Sequence, residues 1–358
     1  VRWFRDEHPG LYDQMDCMLL PHDYLNFYLT GERCMEAGDA SGTGFLDIFT
    51  REWSTTMLGA IDPERDLREC LPSVSTENRS IGTLRAAIAD ELGLPSGVPV
   101  SIGGGDNMMS AIGTGNVASG TVTISLGTSG TVFAYADRPI VDPKGNIAAF
   151  CSSNGGWMPL LCTMNCTVST KLMRDLLGAD VATFEAQLQA SQRGANGVIT
   201  VPYFNGERTP NLPDAKGCIV GLDVRNARPE NLLRSAVEGA TFALRFGLDE
   251  LRALDVTAHE IVLTGGGANS AAWRQIVADV CAAPVTVLKH GEGAAFGAAL
   301  QALAMLEGED TDLTQLVREH LQRDTAQCHQ PQPSAVNFYS ETYREYQQAA
   351  EKVAELYG

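Results

Sequence analysis

Three short stretches of this sequence carry residues whose types and spacing could do chemistry, and each is a glycine-rich turn after an apolar run. The first is Gly103-Gly104-Gly105-Asp106-Asn107, which follows Val98-Pro99-Val100-Ser101-Ile102. A carboxylate at a strand end and a helix start is kept ionised by the helix dipole. It can then take the proton of a hydroxyl held beside it. The plainer alternative for Asp106 is an ordinary helix cap, for which Asp is a favoured residue. The second stretch is Ser125-Leu126-Gly127-Thr128-Ser129-Gly130-Thr131, a hairpin turn with two hydroxyls between two glycines. Amide groups in such a turn suit the outer phosphates of a nucleotide. A hairpin whose Ser and Thr satisfy their own backbone would read the same way. The third is Gly265-Gly266-Gly267-Ala268-Asn269, where glycines let the backbone approach a purine, a ribose or phosphates. Neither a Walker lysine nor a G-x-G-x-x-G pattern accompanies it, which disfavours a P-loop enzyme and a dinucleotide-binding dehydrogenase.

Other candidates are weaker. Asp39-Ala40-Ser41-Gly42-Thr43-Gly44 reads as a small-residue turn, because no lysine follows its glycines. Cys162 and Cys166, four apart, could share a helix face, but no second Cys/His pair stands at matching spacing. Buried reduced thiols are favoured over a zinc site, and no metal ligand is assigned. The formal net charge of −18 opposes nucleic acid and anionic membrane surfaces as partners. No apolar run has the length of a membrane span and no signal peptide opens the chain, so a cytoplasmic location is expected.

The elements that must position these turns follow from periodicity. A chain of 358 residues predicts two domains, with a boundary between 118 and 119, just before the hairpin. Residues 1–60 read as mostly helical, starting with an amphipathic helix already under way at Val1. Leu20, Tyr24, Leu25, Tyr28 and Leu29 form an apolar stripe there, and Pro21 fits only a first turn or an irregular approach. A short helix is expected over 81–93, and another from Met108. Thr121–Leu126 and Thr131–Tyr135 read as paired strands. Leu233, Val237, Ala240, Leu244 and Leu248 mark one stripe of a long helix over 230–251. Ile261–Leu263, a helix through Trp273, Ile276, Val277 and Val280, and Val285–Leu288 make a strand–turn–helix–strand unit that implies parallel pairing. Gly293–Ala299 opens a helix of small residues suited to close packing. A last helix, 335–358, should dock on its own domain through Phe338, Tyr343, Tyr346, Ala350, Val353 and Tyr357, although a coiled-coil partner would also fit it.

The order of the three turns resembles the FGGY family of carbohydrate kinases, over almost the whole chain. The resemblance rests on Leu20-Pro21-His22-Asp23-Tyr24-Leu25, Leu29-Thr30-Gly31-Glu32, Asp39-Ala40-Ser41-Gly42-Thr43 and Gly104-Gly105-Asp106-Asn107. It continues through Ser125–Gly130, Gly206-Glu207-Arg208-Thr209-Pro210, Glu238-Gly239 and Gly265–Asn269, and is strongest towards the family's xylulose-phosphorylating branch. It implies an α/β, actin-like and hexokinase-like ATPase fold of the ribonuclease H-like kind, with two domains. Residues 1–118 would be the carboxy-terminal portion of the sugar-binding domain, and 119–358 the nucleotide-binding domain. It further implies Asp106 as catalytic base and sugar contact, with Asn107 beside it on the sugar. Gly127, Thr128 and Ser129 would hold phosphates, and Gly265, Gly266, Gly267 and Asn269 the adenosine. ATP and Mg2+ are the implied co-substrate and cofactor. The implied reaction is phosphorylation of a ketopentose, D-xylulose first. Ribulose, glycerol and gluconate stay open as substrates, as does a non-catalytic nucleotide-binding fragment. A homodimer also stays open. Arg208 suits either a phosphate or a salt bridge. Such kinases begin with an Asp-containing phosphate hairpin and further sugar-binding residues, which this sequence lacks. The first domain is therefore expected to be incomplete, and the chain alone is expected to phosphorylate xylulose poorly.

Overall fold

A computed structural model of the chain describes every residue except His290, Glu292, Glu309, Asp310 and Gly358. Its centre is a six-stranded sheet in the order Val285–Val287, Glu260–Thr264, Thr121–Leu126, Gly130–Ala134, Trp157–Thr163, Ala148–Cys151. The first three strands pair in parallel, and the remaining neighbours pair antiparallel. The parallel pairing expected from the strand–turn–helix–strand unit is what forms.

Both faces of this sheet are covered, and in Thr121–Leu126 the apolar Val122, Ile124 and Leu126 alternate with Thr123, which is buried on the opposite face and bonds to the Thr114 hydroxyl at 2.8 Å. On one face lie Val122, Ile124 and Leu126 with the helix Pro229–Ala253, whose Leu233, Val237, Ala240, Leu244 and Leu248 are all buried as their spacing predicts. Burying each such side chain contributes about 1.5–3 kcal/mol. On the other face, Phe133, Met158 and Leu160 pack against Met108, Met109 and Ile112 of the helix Asp106–Gly113 and Leu300 and Ala304 of the helix Gly293–Glu307. The helix that begins at Asp106, two residues earlier than its apolar pattern suggested, is thus bolted to the large sheet.

These two helices cross backbone against backbone. A methyl group placed on Gly113 would overlap the Gly293 carbonyl, and one on Gly297 would overlap the Met109 carbonyl. The small residues predicted for close packing serve this crossing. The last helix, Pro333–Tyr357, docks on its own domain, with Tyr343, Tyr346 and Val353 buried as expected. Phe338 and Tyr357 stay exposed at 38% and 43%, while Tyr339, absent from the predicted stripe, is fully buried. Its hydroxyl donates to Glu238 (2.7 Å) and accepts from Arg234 (2.8 Å), which anchors the helix to the core. Glu238 and Gly239 are therefore structural residues.

Residues 1–105 differ from the expectation. Short helices alternate with two-stranded pieces: Cys34–Glu36 with Ser73–Ser75, Leu46–Asp47 with Glu52–Trp53, and Ser80–Thr83 with Pro99–Ser101. The segment 81–93 splits into the strand Ser80–Thr83 and a helix Ala86–Leu92 ended by Gly93. The opening helix is only Arg2–Glu7 and buries no residue fully. The helix Pro21–Thr30 starts at its proline as expected, but its apolar stripe faces outward, with Tyr24, Leu25 and Tyr28 exposed and Asp23 and Asn26 buried. The reason is the turn that those polar residues hold, described below.

The helix crossing yields a stability prediction. Gly297→Ala should destabilise the protein by about 1–3 kcal/mol or more, since the crossing has no room for a methyl. Gly59→Ala, on an exposed helix position with open space around it, should instead stabilise slightly. Denaturant melts of both variants check this, and an unchanged midpoint for Gly297→Ala would remove the crossing as a constraint.

Candidate active site

The Gly103–Asn107 turn is held from three directions. His22 Nε2 and Asn26 Nδ2 both meet the Ile102 carbonyl at 2.8 Å, and Gln301 Nε2 donates to the Gly103 carbonyl at 2.9 Å. His22 Nδ1 lies 3.2 Å from Asp23 and 3.3 Å from Asp39. Both ring nitrogens thus face acceptors, which favours the imidazolium. Burial opposes that charge, but the hydrogen bonds to Asp23, Asp39 and Ile102 outweigh it and push the His22 pKa up to about 10. A side chain at Gly103 would strike the His22 ring, and one at Gly105 would strike Asp39. The glycines therefore leave room for the brace.

Asp39 is itself positioned. The buried Glu36 accepts from the Gly38 and Asp39 amides at 2.9 and 3.0 Å and caps the helix Ala37–Ser41. That helix replaces the turn expected at the start of Asp39–Gly44. Burial pushes the Glu36 carboxyl up to about 7. Sequence reading missed the brace, although His22 and Asn26, four apart on a helix with Asp23 beside them, were the available signal.

Asp106 is the first residue of its helix and is exposed, while Gly105 occupies the cap position. The plain capping alternative thus fails. Its Oδ1 accepts from the Asn107 amide at 2.7 Å and from Asn107 Nδ2 at 3.0 Å, while Oδ2 has no hydrogen-bond partner among the described residues.

At the hairpin, Gly127, Thr128 and Ser129 form the turn between the strands Thr121–Leu126 and Gly130–Ala134. The Gly127 and Thr128 carbonyls accept from Thr167 and Cys166 at 2.9 and 3.0 Å, at the start of the helix Thr167–Leu177. Among the described residues, neither the Thr128 nor the Ser129 hydroxyl bonds to its own turn, contrary to the plainer hairpin reading. Gly265, at φ 82°, packs on this hairpin so closely that a side chain there would meet the Leu126 carbonyl. The second and third turns therefore share one edge. A cleft of about 440 Å³ opens beside them, lined by Gly265, Gly266, Asn269 and Arg274 among others. Gly267 is buried against Trp273 rather than open to the cleft. Ser270 caps the following helix by accepting from the Trp273 amide at 3.0 Å.

Magnesium is usually held by one or two carboxylates together with nucleotide phosphates rather than by a protein cage. Among the described residues, the one cluster with ligand-like spacing is His22, Asp23 and Asp39, and its imidazole already bridges the carboxylates. Cys162 ends a strand and Cys166 precedes a helix, so the two do not share the helix face considered for them.

Two family models match this chain: the N-terminal domain of the FGGY family of carbohydrate kinases over residues 1–113, and the C-terminal domain of that family over 122–306. The chain belongs to the FGGY family of carbohydrate kinases. It is 44% identical to the xylulose kinase of Haemophilus influenzae over 97% of this chain and 70% of that protein. It is 38% identical to the xylulose kinase of Streptomyces rubiginosus over 86% of this chain and 61% of that protein. With the Escherichia coli xylulose kinase the identity is 35%, again over 61% of the relative. The chain thus spans less than two thirds of the latter two relatives. A crystal structure of xylulose kinase from Rhodospirillum rubrum matches with a TM-score of 0.88 at 25% identity, covering 99% of this chain and 72% of that one. A Plasmodium falciparum glycerol kinase matches with a TM-score of 0.86 at 18% identity over 98% of this chain and 70% of that one, which shows the shared fold alone. The FGGY kinases have the actin-like ATPase fold, and this chain is built on it with its two family domains. No helix among the described residues is long and apolar enough to cross a membrane.

The brace carries a pH signature. His22 has a folded pKa raised from 6.5 to about 10, so its contribution to stability is complete below pH 6.5 and is lost as pH rises through 10. At ~1.4 kcal/mol per unit the contribution is of the order of a few kcal/mol. Urea melts between pH 7 and 10 should show wild type losing this stability and His22→Asn losing less. Parallel pH profiles for the two proteins would show that His22 is not the charged brace.

Proposed function

We propose that the protein containing this chain transfers the γ-phosphoryl group of ATP to a hydroxyl of a ketopentose, D-xylulose first, and that Asp106 is the base. The observation that carries this reading is the exposed Asp106 carboxylate at a helix start, on a turn fixed by His22, Asn26 and Gln301. Similarity to the Haemophilus xylulose kinase supports the choice of sugar.

In this reading Asn107 occupies Oδ1 and orients the carboxylate. Oδ2 accepts the hydroxyl proton while that oxygen attacks the γ-phosphorus, and the β–γ bridging oxygen leaves with ADP. Gly127, Thr128 and Ser129 present amides and hydroxyls to the phosphates. Gly265, Gly266, Gly267 and Asn269 form the adenosine side, Gly267 through its backbone. Magnesium would arrive on the nucleotide and offset its charge. We place the domain division between 118 and 119, and the protein in the cytoplasm.

The full-length protein, assayed for ADP release with D-xylulose, ribulose, glycerol and gluconate, should prefer xylulose; preference for another sugar would overturn that assignment. Asp106→Asn should lower kcat by about 10²–10⁴ while nucleotide affinity stays near wild type. Near-normal turnover in Asp106→Asn would remove it from the mechanism.

A further inference from the structure

In the loop Gly206-Glu207-Arg208-Thr209-Pro210 the sequence left Arg208 open between a phosphate and a salt bridge. The structure gives each of the residues around Arg208 an inward role. Gly206 turns at φ 67° with its α-carbon against the Pro213 carbonyl. Glu207 is buried and spends its carboxylate on the Met164 amide (2.6 Å), the Arg208 amide (2.8 Å) and Asn165 Nδ2 (3.1 Å). Thr209 donates its hydroxyl to the Cys162 carbonyl at 3.1 Å. Arg208 alone points outward and is exposed.

These anchors set where Arg208 emerges. Cys162 and Thr163 are paired across the sheet with Thr131 and Gly130, the first residues after the hairpin turn. The Gly130 amide donates to the Thr163 hydroxyl at 3.2 Å, which ties the two strand ends together. Cys162 is partly buried against the core cluster on the sheet face covered by the Asp106–Gly113 helix. The anchors themselves bring Arg208, between buried Glu207 and the Thr209 that binds the Cys162 carbonyl, to the strand end paired with the residues that follow the hairpin turn. Burial pushes the Cys162 thiol up and the charge of Arg208 pulls it back, in keeping with this placement. Among the described residues Arg208 has no carboxylate within ion-pair distance, and Glu207 cannot supply one because its oxygens are taken by amides. The two glycine turns contain no lysine or arginine of their own.

We propose that Arg208 binds the γ-phosphoryl group of ATP from the hairpin side. The proposal rests on the kinase reading above and adds to it the cation that the glycine turns lack. A planar guanidinium suits this place because it can donate two parallel hydrogen bonds to phosphoryl oxygens. Charge spreads over those oxygens in the transition state, so a cation there stabilises the transition state beyond the bound nucleotide.

The test compares calorimetric binding of ADP and of the β,γ-imido analogue of ATP, in the full-length protein, for wild type, Arg208→Gln and Arg208→Lys. ADP affinity should stay within about twofold in all three. Arg208→Gln should weaken the ATP analogue by about tenfold to a hundredfold, the range for a hydrogen bond to a charged group, and Arg208→Lys should recover part of it. The kcat of Arg208→Gln should fall by about 10³ or more with sugar KM unchanged. Because the side chain is exposed, melting curves should coincide, which separates this loss from misfolding. Equal weakening of both nucleotides, no weakening of either, or a raised sugar KM with intact nucleotide binding would each overturn the proposal. Wild-type protein that binds both nucleotides but phosphorylates no sugar would sink the kinase reading alone. Wild type that binds neither nucleotide would overturn both.

Discussion

The position of Asp106 depends on one steric constraint, the backbone contact between the helices Asp106–Gly113 and Gly293–Glu307. Helices with ordinary side chains at a crossing sit about 8–10 Å apart. Glycine at 113, 293 and 297 removes the side chains that would hold these two apart. One helix carries the carboxylate at its first residue, and the other lies within the part of the chain that matches the nucleotide-side family domain. Both then pack on the sheet face of Phe133, Met158 and Leu160. A proton acceptor and a phosphate hairpin can cooperate only if their separation is kept to fractions of an ångström. A contact between backbones is stiffer than one between flexible side chains, and it suits that requirement.

The second requirement is to hold an irregular turn in a fixed shape. A glycine-rich turn is conformationally costly to order, because glycine loses the most freedom on folding. The Pro21–Thr30 helix supplies compensation by turning His22, Asp23 and Asn26 inward and leaving its tyrosines and leucine outside. The imidazolium of His22 joins the Ile102 carbonyl on one side to Asp23 and Asp39 on the other. Buried Asp23 is pushed up by desolvation, which offsets part of the stability that the His22 charge contributes. Gln301, from the helix that also makes the glycine crossing, donates to the same turn at Gly103. The crossing and the brace thus act on adjacent residues.

Much of the nucleotide-side architecture was legible in the sequence because its signals are periodic and local. Leu233 to Leu248 repeat at helical spacing on a buried face, and Thr121–Leu126 is β-branched and short. Residues 1–105 were less legible. There the strands are two to four residues long and pair only in twos, too short for alternation to show. The helix Pro21–Thr30 was read by its hydrophobic stripe and turned the other way, because two hydrogen bonds to the Ile102 carbonyl and the His22 contact with Asp39 outweighed the exposure of Tyr24, Leu25 and Tyr28. Tyr339 was missed because its burial depends on Arg234 and Glu238, about a hundred residues earlier. Asp106 and the two glycine turns were singled out by residue type and order. The packing of Gly265 onto Leu126, which makes two turns one edge, lies in tertiary distance and has no sequence signature.

Charge explains why such a site needs donors placed one by one. The chain carries a formal net charge of −18, and ATP is a polyanion. Long-range attraction therefore cannot concentrate the nucleotide, as it does in enzymes with a basic cleft. What remains is short-range: amides of the hairpin freed by placing its carbonyls on the Thr167–Leu177 helix, hydroxyls of Thr128 and Ser129 not consumed by their own turn, and a guanidinium at Arg208 kept apart from Glu207. The buried carboxylate of Glu207 would be the natural partner of that guanidinium. Three amide donors hold it instead, so the loop keeps its anchor and its cation separate. Joining them in a salt bridge would stabilise the empty protein and leave the phosphates without a counter-charge. In the proposed binding mode, this separation leaves the Arg208 charge available to the phosphates.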